Sequence, residues 1–207
     1  MKKLFLILLT ISAYTVSAQD TERSEKKPVF HDKEFLLDYY RQTMDNLAKN
    51  ISGLSEAQLQ FSASEEKWSV SQCVEHIILT ENMIFGMIKT SMEQPANPER
   101  KKDIVHSDDQ IIATIINRTE KYKAPEILQT KGKYNDPGTA LKDLENQRKE
   151  ILDFIRNTDI EELRNRINDS PAGATDAYQS LLFIAGHTAR HTLQIEEIKA
   201  ENNFPGK

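Results

Sequence analysis

The sequence predicts an all-α fold, a bundle of helices, on three observations. Apolar residues recur at intervals of three and four along most of the chain, which is the period of helices with one buried face. Glycine and proline are scarce, at 7 each among 207 residues, and this argues against a turn-rich β fold. Apolar residues form 38% and charged residues 29% of the chain, a balance typical of helices with a buried stripe and charged outer faces.

The N-terminus has the three-part pattern of a secretory signal peptide. Lys2 and Lys3 form a short basic region, and an apolar run from Leu4 to Ile11 follows. Val16-Ser17-Ala18 then supplies a cleavage site of the small-x-small type before Gln19. The apolar run is too short for a comfortable membrane span. An uncleaved anchor or a buried N-terminal helix is the alternative.

These observations predict the organisation of the chain. We expect a signal peptide over 1–18, a flexible leader over 19–31 and one helical bundle domain over 32–204. The mature protein would be exported, to a periplasm or to the outside, with no stable membrane span after the signal is removed. The net charge of -5 excludes a general electrostatic attraction to nucleic acid, which needs a basic surface.

Caps and apolar stripes define the first two long helices. Asp32 is suited to cap the first helix, which ends near Gly53, and a short helical turn is expected after Ser55. Ser69 caps the second helix, which is apolar over a wide arc and should lie at the centre of a bundle. The apolar positions are Phe35, Leu36, Tyr39, Met44, Leu47 and Ile51 in the first helix, and Val70, Cys73, Val74, Ile77, Ile78, Ile84, Phe85 and Ile88 in the second.

The second half of the chain predicts three more helices separated by loops. Ser107 and the two aspartates after it cap a short helix rich in isoleucine, and a longer one spans about 141–155. The polar connection over 126–136 is long enough to be functional, although a surface excursion is equally compatible. A segment of uncertain form and a break at 169–173 precede the last helix, which runs over 174–201.

The last helix carries His187 and His191, four residues apart. Residues at this spacing share one face of a helix, so both imidazoles point to the apolar side that holds Ile184 and Ile195, with Arg190 nearly opposite. Two such histidines can supply two ligands of a transition-metal site. Histidines on an apolar face are also ordinary core residues, so a metal site requires a third ligand from another helix.

The remaining histidines and the single cysteine complete the inventory of metal-binding side chains. His76 lies on the flank of the second helix, where by itself it has the pattern of a boundary residue. His106 lies in a loop and is interpreted as solvated, and His31 is left unassigned. Cys73 cannot form an intramolecular disulfide and is interpreted as a small buried apolar residue.

Taken in order, these motifs resemble the DinB-like family. The resemblance is carried by Trp68-Ser69-Val70-Ser71 and Glu75-His76-Ile77 on the second helix, and by the run from Gly186 to Ile195 on the last. It covers the chain from about Lys33 to Ala200. It implies a four-helix bundle with additional short helices and a metal held by three histidines, one from the second helix and two from the last.

Carried over residue by residue, the resemblance makes His76, His187 and His191 the metal ligands. Zinc is the first expectation, with nickel, iron or manganese as alternatives. Three neutral ligands leave open positions for water or substrate, as in catalytic zinc sites. Glu75 is expected to face away from the metal. Glu81 lies near the apolar arc, where it needs an arginine partner, a ligand or a supporting role at the metal.

The resemblance leaves the function open among several classes. The leading hypothesis is a metal-dependent hydrolase or transferase acting on an unknown small molecule, with no general base identified. Some relatives are thiol S-transferases, but export would separate this chain from cytoplasmic thiols. A non-catalytic bundle that binds a metal or a small ligand is the alternative, and a structural bundle with three incidental histidines is a third. A homodimer is compatible with the bundle, although no residue demonstrates it.

Overall fold

The structure, a computed structural model, describes residues 30–120, 123–171 and 173–206. The predicted signal peptide and most of the predicted leader lie outside the described residues, so they stay predictions. Within the described part of the chain, no helix is both long enough and apolar enough to cross a membrane.

The described residues form a predominantly helical domain with one small hairpin, and the all-α prediction is confirmed in its main elements. The helices and strands are α1 (Lys33–Ile51), α2 (Glu56–Gln60), α3 (Val70–Met92), α4 (Asp108–Ile116), α5 (Pro137–Asn157), α6 (Ile160–Arg164), β1 (Ile167–Ser170), β2 (Gly173–Asp176) and α7 (Ala177–Lys199). Short 3-10 turns cover Pro98–Asp103 and Glu126–Leu128.

The four long helices α1, α3, α5 and α7 form a bundle in which α7 and α5 each pack against both α1 and α3. Two apolar clusters fill it, one around Leu181 and Ile151 and the other around Ile77 and Leu144. The predicted caps are present, because Asp32 and Ser69 each accept a hydrogen bond from a backbone N–H in the first turn of their helix. The sequence therefore identified the long helices and the residues that cap α1 and α3.

The environment of α7 differs from the prediction of one buried face. Helix α4 packs against the side of α7 that turns away from α3, so α7 is enclosed on nearly all sides. Arg190, expected opposite the buried face, is only 9% exposed. It donates hydrogen bonds to the backbone carbonyls of Ile115, Asn117 and Glu120 at and beyond the end of α4. An arginine in the interior is tolerated here because these carbonyls have no partners within the helix.

The segment predicted as an irregular break before the last helix contains an antiparallel hairpin. Strand β1 pairs with β2 from Ile167 opposite Asp176 to Ser170 opposite Gly173. Asp176 then caps α7 by accepting a hydrogen bond from the backbone N–H of Gln179. The last helix accordingly begins at Ala177, three residues later than predicted.

A glycine allows α4 to approach α7 closely. A Cβ atom added at Gly186 would overlap with Cγ2 of Ile115 and lie 3.4 Å from the hydroxyl of Tyr39. We expect Gly186→Ala to lower the free energy of unfolding by about 1–2 kcal/mol, because overpacking outweighs the better helix propensity of alanine. Chemical denaturation measures this change.

Gly86 in α3 supplies the matched control, since a Cβ added there meets nothing within 4 Å. Gly86→Ala should raise the free energy of unfolding by about 0.5–1 kcal/mol through propensity alone. If the two substitutions had the same sign, close packing between α4 and α7 would not explain the glycine at 186.

Candidate metal centre

Three histidine side chains from two helices converge inside the bundle. His76 comes from the second turn of α3, and His187 and His191 come from successive turns of α7. All three are buried, at 5–7% exposure. Their candidate ligand nitrogens lie within 4.8 Å of one another, and Nε2 of His187 is 3.1 Å from Nε2 of His191. The structure thus brings together the three residues that the resemblance selected.

Hydrogen bonds fix which ring nitrogen carries the proton in two of the three imidazoles. Nδ1 of His76 donates to the backbone carbonyl of Leu128 over 3.0 Å, and Nδ1 of His191 donates to Oε1 of Gln194 over 3.0 Å. Arg118 also donates to this Oε1, which orients the amide of Gln194. A neutral imidazole has one N–H, so Nε2 of both histidines keeps its lone pair directed into the cluster.

Burial favours the neutral form of these three imidazoles. It lowers the pKa of His76, although the hydrogen bond to Leu128 opposes the shift. Burial, and then the neighbouring His76, lower the pKa of His191 to about 3. The pKa of His187 falls well below its ordinary value for the same reason, with further contributions from His191 and His76. Neutral imidazole is the form that binds metals, so the rings need not lose a proton at neutral pH.

Aromatic rings line the three-histidine group. Trp68 lies edge-on to His76 with ring centroids 4.8 Å apart, and stacks near His191 at 5.9 Å. Phe183 stacks on His187 at 6.0 Å. Sequence reasoning used Trp68 only as a motif residue before a cap. Its position in the wall of the site follows from the sharp entry into α3, which the Ser69 cap sets.

Comparison with known proteins places the chain in a family. The model of the DinB superfamily matches residues 39–195, more than half of the chain. The chain belongs to the DinB superfamily. The match includes α3 and α5 completely, most of α1 and α7, and all three histidines, which confirms the resemblance noted in the sequence.

A solved structure supports the fold of this DinB-superfamily member. YfiT from Bacillus subtilis is described as a probable metal-dependent hydrolase with an unusual four-helix bundle topology. It superposes with a TM-score of 0.56 at 15% sequence identity, covering 81% of this chain and 85% of YfiT. At this identity the similarity establishes the four-helix bundle. Comparison with curated protein sequences returned no match.

The two glutamates considered near the site have other partners. Glu75 faces away from the histidines, as predicted, and accepts hydrogen bonds from backbone N–H groups of the loop after Leu128. Glu81 is fully buried and paired with Arg148, the first of its three predicted alternatives. Within residues 30–120, 123–171 and 173–206, the converging group contains three histidines and no carboxylate. Neither glutamate is therefore placed to act as a general base.

The other metal-binding side chains lie elsewhere. His31 is partly buried, with Nε2 2.7 Å from a carboxylate oxygen of Asp109. The partly exposed His106 contributes its backbone carbonyl to a hydrogen bond from Gln179. Cys73 is fully buried, and burial raises the pKa of its thiol far above the ordinary value, as expected of a core residue rather than a nucleophile.

A surface groove lies along α3, toward the C-terminal end of the helix from His76. Met83 and Met87 follow His76 by seven and eleven residues, so the three side chains share one helix face. Met83 is 37% exposed and Met87 is 64% exposed. The groove that they line has a volume of about 770 Å³ and reaches Asn168 on the hairpin. The DinB-superfamily bundle therefore offers an open, mainly apolar surface on the same side as its histidines.

The three histidines fit a divalent transition metal. Two ligands at 2.0–2.1 Å in tetrahedral geometry are about 3.3 Å apart, close to the 3.1 Å between Nε2 of His187 and of His191. Nε2 of His76 and of His191 are both without protons, so both nitrogens can ligate a cation placed between the rings. This donor set of three imidazoles suits zinc, nickel, iron and manganese.

Proposed function

We propose that this protein binds a divalent transition metal through His76, His187 and His191 and hydrolyses a small molecule there. The observation that carries the proposal is the convergence of three buried, neutral imidazoles, two of which have Nδ1 engaged and Nε2 free to ligate. The family match and the structural similarity to YfiT, a probable metal-dependent hydrolase, support the same class of function.

The residues around the three histidines would each have a distinct role in such a reaction. His76, His187 and His191 would hold the divalent ion, which would supply Lewis acidity and make a water molecule more acidic. Leu128 and Gln194 fix the orientation of the His76 and His191 rings through hydrogen bonds to Nδ1. Trp68 and Phe183 keep one side of the group apolar, which strengthens electrostatic interactions within it. Thr80, with its hydroxyl 3.4 Å from Nε2 of His76, would place a polar side chain beside the ion.

A second function, binding without turnover, is favoured by one observation. Glu75 and Glu81 both have other partners, so neither of these carboxylates is placed to act as the base of a hydrolytic step. Turnover of a panel of esters and amides by the metal-loaded protein distinguishes a hydrolase from a metal-binding or ligand-binding bundle. Thiol transfer ranks lower if the predicted signal peptide exports the protein away from cytoplasmic thiols.

The first experiment is the metal content of untagged protein, measured by elemental mass spectrometry. We expect about one metal ion per chain, with zinc as the first candidate, and its loss in His187→Ala and in His191→Ala. Circular dichroism should show that both variants remain folded. Failure of the wild type to retain zinc, nickel, iron or manganese after reconstitution would refute the proposal.

A fluorescence titration locates the bound ion. Trp68 is the only tryptophan of the chain, and its ring lies 4.8 Å from that of His76. Binding of Co²⁺ or Ni²⁺ should quench its emission, because open-shell ions quench a nearby indole. A double variant, His31→Ala with His106→Ala, is the matched control and should quench like the wild type. Quenching that survived in His191→Ala would place the ion elsewhere.

A further inference from the structure

The loop over 126–134 is fastened along the outer side of α3, beside the three-histidine group. The carbonyl of Leu128 accepts the hydrogen bond from Nδ1 of His76. Two residues further on, Thr130 makes two hydrogen bonds with Gln72. The backbone carbonyl of Thr130 accepts from the side-chain amide of Gln72, and the hydroxyl of Thr130 donates to the backbone carbonyl of Gln72. The loop therefore supplies an acceptor to a candidate metal ligand and is itself anchored to the helix that carries that ligand.

The most concentrated anchor of this loop is the carboxylate of Glu75. Its Oε2 accepts hydrogen bonds from three successive backbone N–H groups, those of Lys131, Gly132 and Lys133, over 3.1, 2.8 and 3.2 Å. Gly132 has a φ of +78°, a conformation that favours glycine. Successive N–H groups that converge in this way form an anion-binding concavity, and here a side chain of α3 fills it.

The position of Glu75 connects this anchor to the site. It precedes His76 directly in α3. One turn of the helix therefore carries both Glu75, which binds the loop, and His76, which the loop orients. Hydrogen bonds to an ionised acceptor are roughly twice as strong as neutral ones. The three N–H groups also have no strand or helix partner to replace Glu75, since the loop around them is irregular. Loss of the carboxylate should therefore loosen the segment between Leu128 and Lys133, while Gln60 and Ser71 still hold the loop at Gly132 and Tyr134.

We propose that Glu75 is a positioning residue of the metal centre. By holding the loop over 126–134 against α3, it keeps the Leu128 carbonyl on Nδ1 of His76. This fixes the proton on Nδ1 and presents the lone pair of Nε2 to the metal. The inference rests on the proposed metal-binding function. Carbonyls and carboxylates that accept a hydrogen bond from a ligating histidine orient its ring. Here the carbonyl of Leu128 has this role, and Glu75 acts indirectly by holding the loop that carries Leu128.

Metal affinity tests the proposal in the full chain. We expect Glu75→Ala to weaken the binding of Zn²⁺ by about 10–100-fold in a competition titration with a chromogenic chelator. Glu75→Gln should recover part of this loss, because an amide oxygen still accepts from the N–H groups of the loop. The control is Glu150→Ala, which removes an exposed partner of Lys89 and should leave the affinity unchanged.

The tautomer of His76 gives a second readout that needs no metal. Two-dimensional ¹⁵N–¹H spectra of the metal-free protein should show the proton on Nδ1 in the wild type and in Glu75→Gln. In Glu75→Ala, we expect a mixture of tautomers. An unchanged tautomer in Glu75→Ala would overturn the proposal, whether or not the affinity fell, because any loss would then not pass through His76.

The two measurements separate this inference from the proposed function. If the wild type binds Zn²⁺ and Glu75→Ala binds it equally well, Glu75 has no positioning role and the metal site stands. If the wild type binds no metal, the proposed function fails and the positioning of a ligand by Glu75 fails with it. The tautomer of His76 in the metal-free variants then shows whether Glu75 orients that ring at all.

Discussion

Replacing Arg148 by methionine should lower the free energy of unfolding by about 3–5 kcal/mol, the range found when one partner of a buried ion pair is removed. Arg148 is 3% exposed and its partner Glu81 is fully buried. Nη2 of the arginine lies 2.6 Å from Oε1 of the glutamate. The substitution would leave a carboxylate inside the bundle without its counter-charge, and the environment cannot hydrate it. Denaturation with guanidinium measures the loss.

The cost is large because the pair belongs to a network that joins all four long helices. Arg148 on α5 donates to the carbonyl of Tyr40 and the hydroxyl of Thr43 on α1, over 2.8 and 3.0 Å. It also donates to the hydroxyl of Thr188 on α7, over 2.8 Å, and Thr188 donates in turn to Glu81 on α3, over 2.6 Å. Removing the guanidinium therefore leaves several buried acceptors without a donor.

Two variants show whether the loss comes from the unpaired charge. Lys89→Met removes an exposed ion pair with Glu150 and should change stability by less than about 1 kcal/mol. A double variant, Glu81→Leu with Arg148→Met, should be more stable than Arg148→Met alone, because an apolar pair leaves no buried charge. Equal losses in Arg148→Met and Lys89→Met would mean that the network contributes nothing beyond a surface pair.

This network also bears on the candidate metal centre. Thr188 lies in the same turns of α7 as His187 and His191, and its hydroxyl is held between Arg148 and Glu81. Rotation of α7 about its axis would break these hydrogen bonds. The buried ion pair thus fixes the direction in which both imidazoles of α7 project. On the opposite side of α7, the close packing of α4 against Gly186 also restricts rotation of the helix.

The sequence predicted the helices and the pair His187 and His191 because both depend on local spacing. A four-residue interval places His187 and His191 on one face whatever the rest of the fold does. Serine and aspartate caps depend only on the first turn of the helix that follows. His76 was different, since its spacing suggested only a boundary residue, and the family resemblance was needed to select it.

The partners of charged residues could not be predicted, because they are distant in sequence. Glu81 and Arg148 are 67 residues apart, and nothing in the pattern of α3 indicates which arginine reaches it. Helical periodicity shows which residues share a face, but not how many neighbours a helix has. Arg190 was therefore placed opposite the buried face, although α4 covers that side too.

The hairpin, and the contact of the loop over 126–134 with His76, were not predicted for a further reason. The two strands are four residues each and mostly polar, so they lack the alternation that identifies a strand. The contribution of the loop to the site is a backbone carbonyl, that of Leu128, and any residue has one. The length of the loop was compatible with a functional segment and with a surface excursion alike.

Acidification of the metal-free protein should destabilise it strongly below pH 6.5. Burial depresses the pKa of His187 and of His191, the latter to about 3. Between pH 6.5 and the lowered pKa values, the unfolded chain therefore binds more protons than the folded chain. The free energy of unfolding decreases as the pH is lowered through this range. At about pH 5, each of these two histidines should lower the free energy of unfolding by about 2 kcal/mol relative to neutral pH. Denaturation in the presence of a chelator, repeated from pH 7.5 to 4.5, measures the slope.

The control is a double variant, His187→Gln with His191→Gln, whose loss of stability with acid should be shallower. Burial raises the pKa of Asp176, which acts in the opposite sense, but this contribution is common to both proteins and cancels in the difference. Parallel slopes would show that the rings accept protons as easily folded as unfolded. A steeper slope in the wild type would mean that the bundle maintains the imidazoles in the neutral form that a metal requires, and that protons and metal compete for the same buried nitrogens.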